Sequence, residues 1–148
     1  MQPRPVLNQL NLVARDFERS RAFYRKLGLD VPGGASQPAG VRHTEVRLEN
    51  GFELAIDNEQ LASLYNAAWR RPGGGSRALI GFSVATRDEV DRLYAELTGA
   101  GHAARQPPYD TFWGSRYAVV ADPDGNDVGI MSPAEEGRRS WPPVESPE

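Results

Sequence analysis

The chain has no cysteine, so disulfide bonds, thiolate metal sites and thiol catalysis are all excluded. It has no apolar run long enough to cross a membrane, and its first residues lack the apolar stretch of a signal peptide. We therefore expect a cytoplasmic protein without a membrane partner. The formal charge of −3 over 148 residues argues against nucleic-acid binding and suits a neutral or cationic small ligand.

The most clearly patterned part of the chain predicts a strand followed by a capped helix. Ala78–Val84 alternates apolar and small or polar residues, as a strand with one face on a core does. Thr86 with Glu89 three residues later is a capping box, and Gly99 and Gly101 mark the end of the helix. The apolar side chains repeat at helical spacing at Val90, Leu93, Tyr94 and Leu97.

The first half of the chain repeats this pattern. Val6–Val13 alternates in the same way, and Asp16 opens a helix in which Tyr24 and Leu27 correspond to Tyr94 and Leu97 at a constant offset. We interpret the repeat as two modules, at about 5–71 and 77–133, joined by the linker 72–76. Chance similarity is the alternative, because an alternating strand before a helix is common. Residues 134–148 are polar and rich in proline, and predict a flexible tail or an arm on a partner.

Three polar side chains in the first module are candidate ligand contacts. Gln9 and Asn11 share one strand face, and an unpaired buried amide costs roughly 1–3 kcal/mol, so we expect them to meet water or a ligand. Asn50-Gly51 is a hairpin signal. In the strand after this hairpin, Phe52, Leu54 and Ile56 form the apolar face. Glu53 lies on the other face of that strand and points into the same space as Gln9.

A proline-rich segment in the second module carries exposed aromatic residues. Gln106–Ser115 cannot be helical at its prolines, so a loop is predicted that presents Tyr109, Phe112 and Trp113. Clustered aromatics in a loop form a stacking surface or a subunit contact. The alternative is that Phe112 and Trp113 only close the end of the core.

Two further segments are predicted less sharply. Gly28–Gly40 is rich in glycine and proline and indicates a brief strand at most, followed by a mobile loop. Asn58–Arg71 predicts a short helix with Leu61, Leu64, Tyr65 and Trp69 on one side.

Several separated segments, in order, resemble the vicinal oxygen chelate superfamily of glyoxalase I, bleomycin-binding proteins, fosfomycin-inactivating transferases and extradiol dioxygenases. They are Asn8–Asp16, Ser20–Tyr24, Leu27–Leu29, Phe112–Tyr117 and Asp122–Asn126. The resemblance covers about residues 5–133. It implies an α+β fold with two tandem βαβββ modules in a single domain over 1–133, forming an eight-stranded, cup-shaped mixed sheet with helices outside. It implies no single reaction, because this fold hosts both catalysts and binders.

The resemblance also implies where a metal would be held. In metal-dependent members, the first and last strands of each module supply the ligands, and these positions fall here on Gln9, Glu53, Leu79 and Gly129. Leu79 and Gly129 have no ligating group, so the donors are too few for a divalent metal with an open site. His43 and His102 are interpreted as surface residues, and Asp122–Asn126 as a turn rather than a calcium loop.

The sequence therefore favours a metal-independent protein, without cofactor, that binds and sequesters a toxic or antibiotic-like aromatic or cationic compound, as bleomycin-binding members do. The alternative is a lyase, isomerase or dioxygenase-type enzyme that uses Gln9 and Glu53, with one divalent metal or none. A homodimer is expected for this fold. The candidate ligand-binding residues are Gln9, Asn11, Glu53, Trp69, Leu79, Tyr109, Phe112, Trp113, Arg116 and Met131.

Overall fold

A computed structural model describes residue 4 and residues 6–34, 37–75 and 78–140. The chain divides into two compact units, Met1–Gly73 and Gly74–Glu148, with the division inside the predicted linker. They are called the first and second units below. None of the helices in the described ranges has the length and apolar character needed to cross a membrane.

The described residues of the first unit form three strands and two helices. In chain order they are β1 (Gln9–Ala14), α1 (Phe17–Lys26), β2 (His43–Arg47), β3 (Glu53–Asn58) and α2 (Glu59–Tyr65), with a 3-10 turn at Pro38–Gly40. The sheet order is β1-β3-β2, with β1 parallel and β2 antiparallel to β3. The predicted hairpin joins β2 to β3, and Gly51 takes a φ of 85° in its turn.

In the part of the second unit that the structure describes there are four strands and one long helix. They are β4 (Leu79–Ser83), α3 (Arg87–Gly99), β5 (Ala104–Asp110), β6 (Arg116–Ala121) and β7 (Asp127–Met131), followed by a 3-10 turn at Glu136–Arg138. The sheet order is β4-β7-β6-β5, and β4 runs parallel to β7. Each unit thus pairs its first strand in parallel with its last, as a duplicated module requires.

The α+β class is confirmed, but the described residues form sheets of three and four strands rather than two sets of four. The first unit has no counterpart of β5 among residues 6–34 and 37–73. A brief strand was predicted at most within Gly28–Gly40. In that segment the carbonyls of Val31 and Pro32 instead accept bonds from Arg21 Nε, at 3.2 and 2.9 Å. Thr44 Oγ1 also donates to the Pro32 carbonyl, at 2.8 Å. Side chains from α1 and β2 therefore hold this segment in place of a strand ladder.

The two main helices have the same caps but different lengths. Asp16 and Thr86 accept bonds from the third N–H of their helices, at 3.1 and 3.2 Å. Both helices end in a Schellman-type turn, in which Leu29 N bonds to Tyr24 O and His102 N bonds to Leu97 O. Because α3 has 13 residues and α1 has 10, the constant offset predicted from sequence fails at the C-terminal ends. In the C-terminal turn, the fully buried Tyr24 occupies the position that Leu97 has in α3, and not the position of Tyr94.

Each sheet packs one apolar face on its long helix. In the first unit Phe17, Phe23 and Tyr24 of α1 are buried, as are Leu54 and Ile56 of β3. In the second unit Val90, Leu93 and Leu97 of α3 are buried, as are Val128 and Ile130 of β7. The alternation predicted for β4 and β7 is confirmed, and it places Leu79, Gly129 and Met131 on the face of the second sheet that points away from α3.

Three predicted segments differ in the structure. Residues 104–110 form edge strand β5 rather than a loop, because register shifts around Gln106 accommodate the two prolines at the sheet edge. Helix α2 ends at Tyr65, so Leu64 and Tyr65 are largely exposed and Trp69 lies beyond the helix. The first part of the predicted tail is bonded to the 111–115 turn through Glu135 N to Gly114 O and Ser140 N to Phe112 O. Residues 141–148 lie outside the described ranges.

The predicted turn at Asp122–Asn126 is confirmed. Asp122 Oδ1 accepts bonds from the N–H groups of Asp124 and Asn126, at 2.9 and 2.8 Å, and Gly125 has a φ of 85°. The carboxylate thus organises its own turn.

Replacing Thr86 with alanine should remove the N-cap of α3 and lower the free energy of unfolding by about 1 kcal/mol. Thr86→Ser, which keeps the hydroxyl, should lose less than half as much. Urea unfolding followed by circular dichroism measures both. Equal losses in the two variants would mean that the cap bond to Glu89 N does not contribute.

Candidate functional site

The sheet face of the first unit that points away from α1 is polar. Strand register places seven charged or amide side chains on it, and we call this the polar face: Gln9, Asn11, His43, Glu45, Arg47, Glu53 and Asp57. Gln9 is the parallel partner of Glu53, which agrees with the prediction that the two side chains point into the same space. Only Ala55 interrupts the polar residues of β3 on this face.

Asp57 is the buried centre of the polar face, with 1% of its surface exposed. Its Oδ2 accepts bonds from Asn11 Nδ2 at 2.9 Å and from Tyr65 OH at 3.0 Å. Its Oδ1 lies 2.5 Å from His43 Nδ1. The donors come from β1, α2 and β2, so three elements converge on one carboxylate, which offsets its burial.

His43 is half-exposed and its ring is held between two carboxylates. Its Nδ1 faces Asp57, and its Nε2 lies 3.4 Å from Glu45 Oε2. Desolvation acts to lower the pKa of His43, but the hydrogen bond and charge of Asp57, helped by Glu45, outweigh it, so the pKa is raised above its ordinary value. The pKa of Tyr65 is raised by desolvation and by its bond to Asp57, so its hydroxyl remains a donor.

The other end of the polar face is an ion pair. Arg47 Nε donates to Glu53 Oε1 at 3.0 Å, and Arg47 Nη2 contacts the same oxygen. An ionised Glu53 needs a compensating partner on this face. In the structure the compensating cation is Arg47, the cross-strand neighbour of Glu53.

The second unit presents a different surface on the corresponding side of its sheet. Four ring side chains make edge-to-face contacts in series: Phe112 with Trp113 at 5.1 Å, Trp113 with Tyr117 at 5.8 Å, and Tyr117 with Tyr109 at 6.2 Å between centroids. Trp113 Nε1 also lies 3.4 Å from the Met131 sulfur. With Leu79, which is 50% exposed, these residues form what we call the aromatic face.

The turn that carries Phe112 and Trp113 is closed by its own hydrogen bonds. Thr111 Oγ1 donates to Ser115 O at 3.0 Å and accepts from Ser115 N at 3.1 Å. Both residues are buried, and Gly114 takes a φ of 92° that suits only glycine well. The ring positions are therefore fixed by the backbone, which lowers the entropy lost when a ligand binds.

Gly129 allows the side chains of the aromatic face to sit close to the sheet. A Cβ added there would lie 2.7 Å from the Tyr117 hydroxyl oxygen and 3.0 Å from Leu79 Cδ2. Tyr117 and Leu79 thus rest on the bare backbone of β7. Burial, with smaller effects from Tyr109 and Asp127, raises the pKa of Tyr117, so its hydroxyl keeps its proton and can donate it in a hydrogen bond.

One residue predicted to contact a ligand lies on the other face of its sheet. Arg116 lies on the helix side of β6, where its Nε donates to Asp91 of α3 at 3.0 Å and its Nη1 lies 3.2 Å from Asp110. It faces away from Tyr117 because neighbouring residues of a strand point to opposite faces. Trp69 belongs to the first unit, in the segment after α2, and its N–H bonds to Asn66 O.

The strand register changes one of the predicted metal positions. Gln9 pairs with Glu53, and the equivalent pair in the second unit is Leu79 with Asp127, not with Gly129. Asp127 is bonded to Arg105 Nε at 3.2 Å. Over residues 6–34, 37–75 and 78–140, no three His, Asp or Glu side chains group as a metal site would require. Gln9 and Glu53 alone do not fit a three-donor site within the first unit.

Sequence reasoning missed the residues that organise both faces. His43 was interpreted as a surface residue, but the register of β2 on β3 puts it opposite Asp57. Tyr117 joins the aromatic residues because it pairs with Tyr109 and Met131 in the ladder. The alternation of each strand was visible in the sequence, but the pairing that brings these residues together was not.

Comparisons with known proteins agree with this fold. The profile of the Glyoxalase/Bleomycin resistance protein/Dioxygenase superfamily matches residues 6–130. A glyoxalase/bleomycin resistance protein/dioxygenase from Nocardioides is 26% identical, with a TM-score of 0.67 over 95% of this chain and 91% of that one. A family enzyme from Burkholderia phytofirmans PsJN is 24% identical, with a TM-score of 0.69 over 85% and 97%.

A lactoylglutathione lyase from Agrobacterium tumefaciens is 21% identical, with a TM-score of 0.57 over 88% of this chain and 96% of that one. At this identity the likeness concerns the fold alone. No curated protein matches the chain by sequence.

Proposed function

Because this chain belongs to the glyoxalase/bleomycin resistance protein/dioxygenase superfamily, we propose that it binds a planar aromatic small molecule, neutral or cationic, on the aromatic face of its second unit. The observation that carries the proposal is the run of four contacting rings, two of them at least 38% exposed. Exposed large apolar groups held in one patch favour a ligand surface over a purely structural role.

The chemistry of the aromatic face suits a flat ligand. Ring faces stack on planar molecules at about 0.5–1.5 kcal/mol per pair, and they attract a cation at about 0.5–2 kcal/mol. The Tyr117 hydroxyl supplies one donor for orientation. Such binding requires no resident metal ion, so the function we propose is to hold and sequester the compound rather than to transform it.

The proposal is tested first with a panel of planar heteroaromatic compounds, neutral and cationic, with tetramethylammonium as a cation that has no ring. A binding compound should raise the melting temperature of the wild-type protein, since a ligand at 100 times its Kd adds about 2.7 kcal/mol. Isothermal titration calorimetry then gives Kd and stoichiometry. If no planar compound raises the melting temperature, the proposal is wrong.

Trp113→Ala should weaken the binding of such a compound about tenfold, because it removes the central ring of the series. Tyr94→Ala is the control, since Tyr94 lies on α3, on the opposite side of the same sheet, and its Kd should stay at the wild-type value. Trp113→Phe should recover part of the affinity. Circular dichroism shows that each variant is folded before Kd is measured. Equal losses for Trp113→Ala and Tyr94→Ala would contradict the assigned surface.

A further inference from the structure

We propose that His43 is the proton acceptor of a second functional site, on the polar face of the first unit, whose ligand is a small neutral or cationic weak acid. The proposal does not rest on the aromatic face, which belongs to the second unit. It rests on the way Asp57 is buried and on how the imidazole is held against it.

The contact with Asp57 determines which ring nitrogen carries the proton. Nδ1 has the closer carboxylate, at 2.5 Å from Asp57 against 3.4 Å between Nε2 and Glu45, so we assign the proton of the neutral imidazole to Nδ1, which donates it to Asp57. The lone pair is therefore on Nε2. His43 has 39% of its side chain exposed and Asp57 has 1%, so the basic nitrogen is reachable while the orienting carboxylate is not.

Asp57 is itself held in place. The bonds from Asn11 and Tyr65 occupy its other oxygen, so it cannot turn away from His43 without breaking them. A buried, hydrogen-bonded carboxylate that orients an imidazole and stabilises the imidazolium is the arrangement that makes histidine an effective base. A histidine on a solvated strand needs none of these three bonds.

The surrounding charges define the class of ligand. The titratable groups facing His43 are Glu45 on its own strand, Asp57 on β3 and Tyr65 on α2. Glu45 lies 3.4 Å from Nε2, so an anionic ligand is repelled and a neutral or cationic one is favoured. On binding, a proton leaves an O–H, N–H or activated C–H group of the ligand for Nε2. The bonding electron pair stays on the ligand, and Asp57 balances the imidazolium charge.

The experiment uses the two histidines of the chain, with His102 as the internal reference. Long-range proton–nitrogen spectra of nitrogen-15-labelled protein should show neutral His43 with Nδ1 protonated and Nε2 bare. Diethyl pyrocarbonate, which acylates a neutral imidazole, should react with His43 faster than with His102 once both are deprotonated. A dominant Nε2–H form, or a rate no higher than that of His102, would overturn the proposal.

Asp57→Asn separates an acid–base role from a structural one. In this variant, deprotonated His43 should react with diethyl pyrocarbonate about 3–10-fold more slowly than in the wild-type protein. Asp88→Asn, an exposed change on α3, should leave the rate unchanged. Should Asp57→Asn not fold, Tyr65→Phe replaces it: with one donor fewer on Asp57, the midpoint of the His43 titration should move to higher pH. An unchanged rate in Asp57→Asn, or an unmoved or lowered midpoint in Tyr65→Phe, would contradict the proposal.

Discussion

Asp57→Ala is expected to lower the free energy of unfolding by about 2–4 kcal/mol. The substitution removes the buried acceptor of three hydrogen bonds, from Asn11, Tyr65 and His43. Bonds to a charged group are worth about 1.5–3 kcal/mol each. The loss is smaller than their sum because His43 and Tyr65 are partly exposed and can bond to water instead, and because the cost of burying Asp57 is also removed.

Urea unfolding followed by circular dichroism measures the loss, with an unchanged m-value as evidence that the two-state comparison holds. Glu45→Ala is the matched control, since it removes a carboxylate from the same face that is exposed to water. Its effect should stay below about 0.5 kcal/mol. If Asp57→Ala and Glu45→Ala destabilise the protein equally, Asp57 does not organise the polar face.

The contact between His43 and Asp57 makes the stability of the protein depend on pH in a defined direction. The pKa of His43 is raised in the folded protein, so folding is favoured by the protonated ring. The contribution is fully present below the unfolded pKa of histidine and is lost as the pH rises through the higher, folded pKa. The stability difference between wild type and His43→Gln should therefore shrink over that window, and a difference that grows instead would contradict the raised pKa.

What the sequence predicted well depended on neighbours along the chain. The alternation in β4 placed Leu79 on the open face, and the cap at Thr86 marked the start of α3. Both features involve residues within one turn or one strand of each other. Local patterns of this kind are visible before any long-range pairing is known.

What the sequence did not predict depended on pairing between distant residues. Gln106–Ser115 was predicted as a loop because of its prolines, yet its first part belongs to β5, since an edge strand tolerates proline where bulges shift the ladder. His43 was assigned to the surface because its partner, Asp57, is brought to it only by the register of β2 on β3. The metal position predicted at Gly129 lies two residues from Asp127, which the register shows to be the partner of Leu79, although both residues lie on the same sheet face.

Gly129→Ala is expected to lower the free energy of unfolding by about 1–3 kcal/mol and to weaken ligand binding at the aromatic face. Gly129 needs no unusual backbone angle, so the effect arises from space alone. The new methyl group would meet Tyr117 and Leu79 at distances that real Cβ atoms do not tolerate or tolerate only tightly. Both side chains must then move away from the sheet.

Gly99→Ala is the control for this substitution, and its expected sign is opposite. Gly99 is the last residue of α3 and has open space around its Cα, so a methyl group there should stabilise the protein by up to about 1 kcal/mol. Opposite signs for the same chemical change would attribute the loss at Gly129 to the side chains packed on it. A neutral or stabilising Gly129→Ala would mean that Tyr117 and Leu79 move without cost.

The double variant Gly129→Ala, Leu79→Ala tests that contact directly. Removing the Leu79 side chain frees part of the space, so the two substitutions together should cost about 1 kcal/mol less than their separate losses combined. Ligand affinity should not return with stability, because Leu79 is itself part of the aromatic face. Such a separation would indicate that the Leu79 side chain contributes to binding directly, and that stability alone does not account for the affinity.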